Sequence, residues 1–126
     1  MTELERITME DRFFDSEMKL MELIWEQEPV SAKTLGLLAE ERIGWNKNTT
    51  YTVLKKLVAK GRVERSEPGF MCRSLVSRSA VQKQETGNLL KRFFGGSRKA
   101  LFSALLADEN TTQEELDALK RMIEEH

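Results

Sequence analysis

The sequence predicts a mainly α-helical protein with one small antiparallel β-hairpin, arranged as a winged helix-turn-helix followed by further C-terminal helices. Three observations support this fold class. Apolar residues recur at helical spacing in three short segments before Gly61, strand-like alternation follows that glycine, and amphipathic helices resume at about Ser79. We therefore expect a winged-helix domain over residues 1–78 and a helical domain over residues 79–126.

The first two helices are predicted from their caps and apolar stripes. Helix one should begin after Asp15 or Ser16, which are both good N-cap residues. Helix two should begin after Ser31, with Val30 packed on Leu35 as a hydrophobic staple. The buried sides should consist of Leu20, Met21, Ile24 and Trp25 in helix one, and of Leu35, Leu38 and Ala39 in helix two.

Helix three should run from the N-cap Asn46 to the terminating Gly61. Residues 46–65 contain six basic side chains and one acidic side chain. The helical period predicts a buried stripe of Thr50, Val53, Leu54, Leu57 and Val58, with Asn48, Tyr51, Thr52, Lys55, Lys56 and Ala59 on the outward face. A polar, basic outward face is typical of a helix that contacts nucleic acid.

A β-hairpin should follow helix three directly, in the position of a wing. Residues 62–66 alternate like a strand, Glu67-Pro68-Gly69 has turn chemistry, and residues 70–76 can return as a second strand. We expect Cys72 to pack in this hairpin as a small apolar residue, with a redox switch as the less favoured alternative.

The C-terminal third should form three one-sided helices. The fourth helix should stop at Gly95-Gly96, Ser97 should cap the fifth, and Thr112 with Glu115 should form a capping box for the sixth. Their apolar faces exceed what a winged-helix core needs, so we expect a C-terminal helical dimerisation region that pairs with a second copy of the chain. The alternative is that they fold back on their own core. The expected dimerisation residues are Leu89, Leu90, Phe93, Phe94, Leu101, Phe102, Leu105, Leu116, Leu119 and Ile123.

The charge distribution separates the middle of the chain from its two ends. The formal net charge is only -1, yet residues 1–41 carry -7, residues 42–99 carry +11 and residues 100–126 carry -5. A basic region attracts phosphate by releasing counterions, and acidic flanks limit indiscriminate binding. The distribution therefore favours double-stranded DNA as a partner over a solvated surface with charge clustered by chance.

Composition argues against several other classes. The single histidine is His126 and the single cysteine is Cys72, so a Cys/His metal cluster, a histidine-based catalytic triad and an internal disulfide all lack parts. We expect no cofactor, no metal and no enzymatic activity. Apolar runs are shorter than the roughly 18 residues of a membrane span, and the acidic start lacks the features of a secretory signal. A cytoplasmic protein without membrane association is the expectation.

Four stretches carry a resemblance to a known family. They are residues 17–25, which end in Ile-Trp; Val30-Ser31-Ala32; Trp45-x-x-x-Thr49-x-x-Thr52-x-Leu54-x-x-Leu57-x-x-Lys60-Gly61; and Arg92-Phe-Phe-Gly-Gly96. In this order they resemble the penicillinase repressor family of bacterial transcription factors. The resemblance implies a homodimeric winged-helix repressor that binds a palindromic operator and dimerises through its C-terminal helices.

The resemblance also bears on how repression would end. In the antibiotic-resistance branch, a sensor-controlled protease cleaves the repressor in its dimerisation region, and the corresponding stretch here is residues 101–106. The copper-responsive branch carries Cys-x-Cys pairs that this sequence lacks, so we expect no copper sensing by that route.

The expected DNA-binding residues belong to helix three and the wing. Early positions of a recognition helix approach base edges in the major groove, whereas more distant basic side chains contact phosphates. The first group is Asn48, Thr49, Tyr51, Thr52 and Lys55, and the second is Lys56, Lys60, Arg65 and Arg73. Asn46, the N-cap of helix three, is also expected to contact DNA. Two other interpretations stay open, namely a winged helix that docks an acidic protein, and a regulator whose small ligand enters between the wing domain and the dimerisation helices.

Overall fold

The structure is a computed structural model, which describes residues 12–126. The chain divides into two compact units, of which the first ends at Gln82 and the second is Lys83–His126. In the part of the chain that the structure describes, no helix is both long and apolar enough to cross a membrane.

Within residues 12–126 the chain forms six helices and three strands. They are α1 (Asp15–Gln27), β1 (Val30–Ser31), α2 (Ala32–Arg42), α3 (Lys47–Ala59), β2 (Val63–Ser66), β3 (Met71–Ser74), α4 (Arg78–Phe94), α5 (Arg98–Ala107) and α6 (Gln113–Glu125). The strands pair antiparallel in the order β1-β3-β2. The predicted fold class, a winged helix followed by C-terminal helices, is confirmed.

The core of the first unit lies where α3 packs on α1 and α2. The predicted stripe of α3 is confirmed at Thr50, Val53, Leu54 and Leu57, which are buried, while Val58 is half-buried. The apolar stripes of α1 and α2 pack against this stripe. Their fully buried residues are Leu20, Met21, Ile24, Leu35 and Ala39. Because the apolar side of α3 is covered in this way, its polar side must face outward.

The start of α1 differs from the prediction. The N-cap is Phe14, and neither Asp15 nor Ser16 occupies that position. The Phe14 N–H donates to Glu17 Oε1 at 3.0 Å, so a carboxylate in the first turn satisfies a backbone donor that would otherwise be left to water. Glu17 is itself buried, which was not predicted. It precedes Leu20, Met21 and Ile24 by three, four and seven residues, so the helical period places it on their side of α1 despite its charge.

The caps of α2 and α3 are confirmed. The Thr34 N–H donates to Ser31 Oγ at 3.1 Å, and the Thr49 N–H donates to Asn46 Oδ1 at 2.8 Å. At the end of α3, Gly61 has a φ of +75°, which favours glycine. The Arg62 N–H donates to Leu57 O at 2.9 Å and the Gly61 N–H to Val58 O at 3.1 Å, which is the Schellman pattern of helix termination.

The sheet contains the predicted hairpin and one additional strand. Strands β2 and β3 form the hairpin around the 67–69 turn, whereas β1, a two-residue strand in which Val30 pairs with Cys72, was not predicted. Its partner lies far along the chain, so no local pattern indicates it. Two polar contacts also connect α1 to the sheet region: Trp25 Nε1 donates to Val76 O at 2.9 Å, and the Ser74 N–H donates to Glu28 Oε1 at 2.9 Å.

The second unit contains the end of α4 together with α5 and α6. Its predicted caps are confirmed, since Ser97 Oγ accepts the Ala100 N–H at 3.0 Å, and Thr112 and Glu115 form the capping box. No residue of α5 or α6 is buried. A groove of about 420 Å³ between these two helices is lined by Phe102, Leu106, Leu116, Leu119, Lys120, Ile123 and Glu124.

Two leucines on α2 provide a test of the core. Leu35 is completely buried, whereas Leu37 on the same helix is 60% exposed. We expect Leu35→Ala to lower the free energy of unfolding of the first unit by about 2–5 kcal/mol, because it leaves a cavity among packed side chains. Leu37→Ala should change it by less than about 0.5 kcal/mol. Urea denaturation followed by tryptophan fluorescence measures both, and equal losses would contradict the described core.

Cys72 offers a second test, because its side chain is fully buried as predicted and burial raises the pKa of its thiol. The thiolate is the reactive form, so we expect slow alkylation of the native protein at neutral pH and a reaction onset at higher pH than for an exposed thiol. Alkylation in urea should be fast. A chain that carries Ser66→Cys and Cys72→Ala, with its thiol at an exposed position, is the matched control; equal native rates for the two thiols would contradict the burial.

Candidate nucleic-acid interface

The outer face of α3 consists of Asn48, Thr52, Lys55, Lys56 and Ala59, all of which are exposed. It lies opposite the buried stripe and carries no acidic residue. Neither Lys55 nor Lys56 forms an ion pair with any residue between positions 12 and 126. The two ammonium groups therefore remain available to an anionic partner.

The first two turns of α3 supply exposed donors and acceptors to this face. The oxygen of Asn46 caps the helix, so this side chain has a structural role in addition to the predicted contact with DNA. The Thr52 hydroxyl donates to Asn48 O at 2.8 Å, which leaves its oxygen as an acceptor and its methyl group in solvent. Thr49 is exposed beside them. Amide, hydroxyl and ammonium groups are the types that read base edges.

A shallow cleft of about 140 Å³ lies between α2 and α3 and is lined by Lys33, Gly36, Leu37, Glu40, Lys47 and Tyr51. The Lys47 ammonium lies 5.7 Å from the centre of the Tyr51 ring. Tyr51 is one of the predicted site residues, whereas Lys33 and Lys47 were not predicted. A usable signal existed for Lys47, because it precedes Tyr51 by one helical turn and so shares its side of α3.

Tyr51 also connects α3 to the wing. Its ring meets the Phe70 ring edge-on with 6.5 Å between centroids, and the Arg65 guanidinium lies 3.7 Å from the Phe70 centroid. Glu67 completes this arrangement, because its Oε1 is 2.8 Å from Arg65 Nη2 and its Oε2 accepts the Phe70 N–H at 3.1 Å. The Phe70 hydrogen bond and then the Arg65 hydrogen bond lower the pKa of Glu67. Arg65 is thus held beside α3.

The two wing arginines lie on opposite faces of the hairpin. Arg65 pairs with the buried Cys72, and Arg73 pairs with Glu64. Since side chains alternate between the faces of a strand, Arg65 shares the face of Val63 and Cys72 while Arg73 is on the outer face. The sequence pattern does not distinguish the two arginines, but only Arg65 contacts an aromatic ring that packs on α3.

Lys60 is the predicted site residue whose acidic partner is buried, whereas the acidic partner of Arg65 is exposed. Its ammonium lies 2.9 Å from Glu17 Oε2 and donates a hydrogen bond of 2.9 Å to Glu17 Oε1. This lysine, which we expected to contact phosphate, is therefore engaged with a carboxylate of α1.

The residues expected at a dimer interface are mostly solvent-accessible within the chain. Phe93 is 67% and Ile123 is 68% exposed, and Leu89, Phe102 and Leu105 are also exposed. Phe94, Leu101, Leu116 and Leu119 are half-buried. Leu90 differs because it is already buried within the chain, so it has little surface left for a partner.

Residues 12–126 contain no group of three or more histidine, cysteine or carboxylate side chains able to hold a metal ion.

Comparisons with known proteins identify the family of this chain. A family model described as penicillinase repressor matches residues 14–125. The penicillinase repressor of Bacillus licheniformis is 23% identical over 114 residues, which cover 89% of this chain and 89% of that protein. The methicillin resistance regulatory protein MecI of Staphylococcus aureus (strain N315) is 23% identical over 110 residues, which cover 86% of this chain and 89% of that protein. Because the family match spans the winged helix and the C-terminal helices alike, the chain belongs to the penicillinase repressor family of transcriptional repressors.

Proposed function

We propose that the protein is a sequence-specific double-stranded DNA-binding repressor that acts as a homodimer on a palindromic operator. The observation that carries this proposal is the outer face of α3, whose two lysines are exposed and without acidic partners in the described chain. Such a face, on the second helix of a helix-turn-helix, has the shape and charge to enter the major groove. Occupying promoter DNA is sufficient for repression and requires no cofactor.

Base recognition is assigned to Asn48, Thr49, Tyr51, Thr52 and Lys55. An asparagine amide can pair with adenine N6 and N7, and a lysine ammonium can donate to guanine O6 and N7. The exposed Thr52 methyl group suits contact with a thymine methyl. These groups lie on adjacent turns of α3, so they would read neighbouring base pairs.

Phosphate contacts are assigned to Lys47, Lys56 and Arg65, which surround the recognition residues. Lys33 and Lys47 line the cleft between α2 and α3, and Arg65 lies beside Phe70 at the edge of the wing. Such contacts set register and affinity but carry little sequence information. Lys60 and Arg73 are left out of this set, because Lys60 is paired with the buried Glu17 and Arg73 is on the outer face of the hairpin. Arg65 is kept although it pairs with Glu67, because both of those side chains are exposed and an exposed ion pair contributes little free energy.

Dimerisation is assigned to the apolar surface of α5 and α6. Both helices lack buried residues within the chain, and the groove between them is lined by five apolar side chains together with Lys120 and Glu124. Covering this surface with a second copy would remove it from water. A two-fold dimer presents two recognition helices about one turn of DNA apart, roughly 34 Å, or a multiple of that distance, which explains why we expect a palindromic site.

Cleavage of residues 101–106 by a sensor-controlled protease stays a prediction from family resemblance. These residues lie inside the helix α5 and are mostly exposed, so cleavage would require local unwinding of that helix. Two alternatives remain. A winged helix that docks a protein would bind DNA weakly and without sequence preference. A ligand-responsive regulator would bind DNA with an affinity that depends on its small ligand.

Selection of bound sites from a random duplex library tests the proposed recognition. We expect a palindromic motif from the wild-type protein, and relaxed preference at one or two base pairs per half-site from Thr52→Ala or Lys55→Ala. Removing one good interaction with a base should cost about 1–3 kcal/mol at the preferred site. Lys19→Ala, which removes a lysine from α1, should retain the wild-type motif. Selected sequences without symmetry or motif would contradict the proposed function.

Sedimentation of Leu105→Asp tests the proposed dimer. A carboxylate placed in the apolar surface would be buried without a partner, so we expect monomers that bind a full operator much more weakly. Ser103→Asp is the control, because it adds the same charge about 200° around the helix from Leu105. A Leu105→Asp protein that remains dimeric would place the interface on other residues.

A further inference from the structure

Glu17 is a carboxylate inside the core of the first unit. It is only 1% exposed, and it lies on α1 among the fully buried Leu20, Met21 and Ile24. A buried charge strongly destabilises a fold unless a partner and hydrogen bonds compensate it. We therefore expect the carboxylate of Glu17 to have a role that an apolar side chain at this position could not fill.

The partners of Glu17 come from two different elements. The Phe14 N–H donates to Oε1 at 3.0 Å, and Lys60 Nζ lies 2.9 Å from Oε2 while donating to Oε1 at 2.9 Å. The same ammonium lies 4.7 Å from the centre of the Phe14 ring. The partly exposed Lys60 side chain thus lies against the first turn of α1. Glu17 Oε2 is held by the ion pair without an additional hydrogen bond from a described residue.

Lys60 is the C-cap of α3. It immediately precedes Gly61, where the Schellman hydrogen bonds end the helix. Asn46 fixes the opposite end of the same helix through its cap. The pair of Glu17 and Lys60, which are 43 residues apart in sequence, therefore attaches the C-terminal end of α3 to α1 at a defined point.

We propose that Glu17 is a positioning residue for sequence-specific DNA binding and acts through Lys60, without touching DNA itself. The inference rests on the proposed function. Apolar packing alone permits small slides and rotations of a helix, whereas an ion pair with hydrogen bonds specifies one distance and direction. Base contacts require placement within about 0.5 Å, and phosphate contacts through long lysine side chains tolerate more. Glu17 therefore supports discrimination between sequences more than total affinity.

Two isosteric changes separate this role from others. Glu17→Gln keeps the acceptor for the Phe14 N–H and removes the charge, while Lys60→Met keeps the aliphatic stem and removes the ammonium. We expect each to weaken binding to the selected operator about tenfold, which is the scale of a single interaction with a base, and to leave binding to non-specific duplex nearly unchanged. The double variant should be no worse than either single variant, because the two residues act as one pair. Lys60→Arg, which keeps a positive charge at this position, should retain most of the discrimination between operator and non-specific duplex.

The salt dependence of binding identifies what Lys60 contacts. A lysine that neutralises a phosphate contributes about one unit to the slope of log affinity against log salt. We expect the Lys60→Met slope to equal that of the wild type, whereas Lys56→Ala should lower it. Glu26→Gln, which breaks the exposed pair between Glu26 and Arg42, is the matched control and should alter neither slope nor discrimination.

Several results would overturn the inference. Stronger non-specific binding by Glu17→Gln would mean that the carboxylate masks a DNA-binding lysine. A reduced salt slope for Lys60→Met would mean that Lys60 contacts phosphate. Wild-type discrimination in both single variants would mean that the pair does not position α3. All measurements are made where circular dichroism shows each variant folded, and Lys60→Met alone decides the outcome if Glu17→Gln does not fold. If the wild-type protein bound DNA without sequence preference, the proposed function itself would be refuted. Binding-site selection with the wild-type protein shows this before any variant is made.

Discussion

The burial of one side of α3 is the constraint on which the candidate interface depends. The apolar stripes of α1 and α2 cover one side of α3. The side chains buried there are Thr50, Val53, Leu54 and Leu57. Once this side is fixed, the helical period decides which residues face outward. The basic character of the outer face is therefore a consequence of core packing combined with the positions of Lys55 and Lys56 in the sequence.

The basic residues of the middle region do not all serve the same purpose. Lys60 is paired with the buried Glu17, and Arg65 is held by Glu67 and the Phe70 ring, whereas Lys55 and Lys56 have no acidic partner in the described chain. Charge totals along a sequence measure attraction towards phosphate, but they do not reveal which cations are already compensated. Lys55, Lys56 and the exposed Arg65 are therefore the candidates for contact with DNA, whereas Lys60 is held against the element that packs on α3.

The second unit illustrates the opposite situation, in which helices form without a core of their own. Local capping by Ser97 and Thr112 accounts for where α5 and α6 begin. Short helices draw most of their stability from packing, and neither helix buries a residue within the chain. The apolar surface that results is consistent with the partner proposed for it, a second copy of the chain.

Sequence alone determined the features that depend on neighbouring residues: the caps of α2, α3, α5 and α6, the end of α3 at Gly61, the hairpin, and the division of α3 into buried and outward sides. Only the tertiary structure decided the pairing of β1 with β3, the opposite faces of Arg65 and Arg73, and the ion pair of Glu17 with Lys60. The physical reason is the sequence separation over which each interaction acts. Caps, turns and periodicity act within a few residues, whereas the partner of a buried charge or a short strand is fixed only when distant segments pack together.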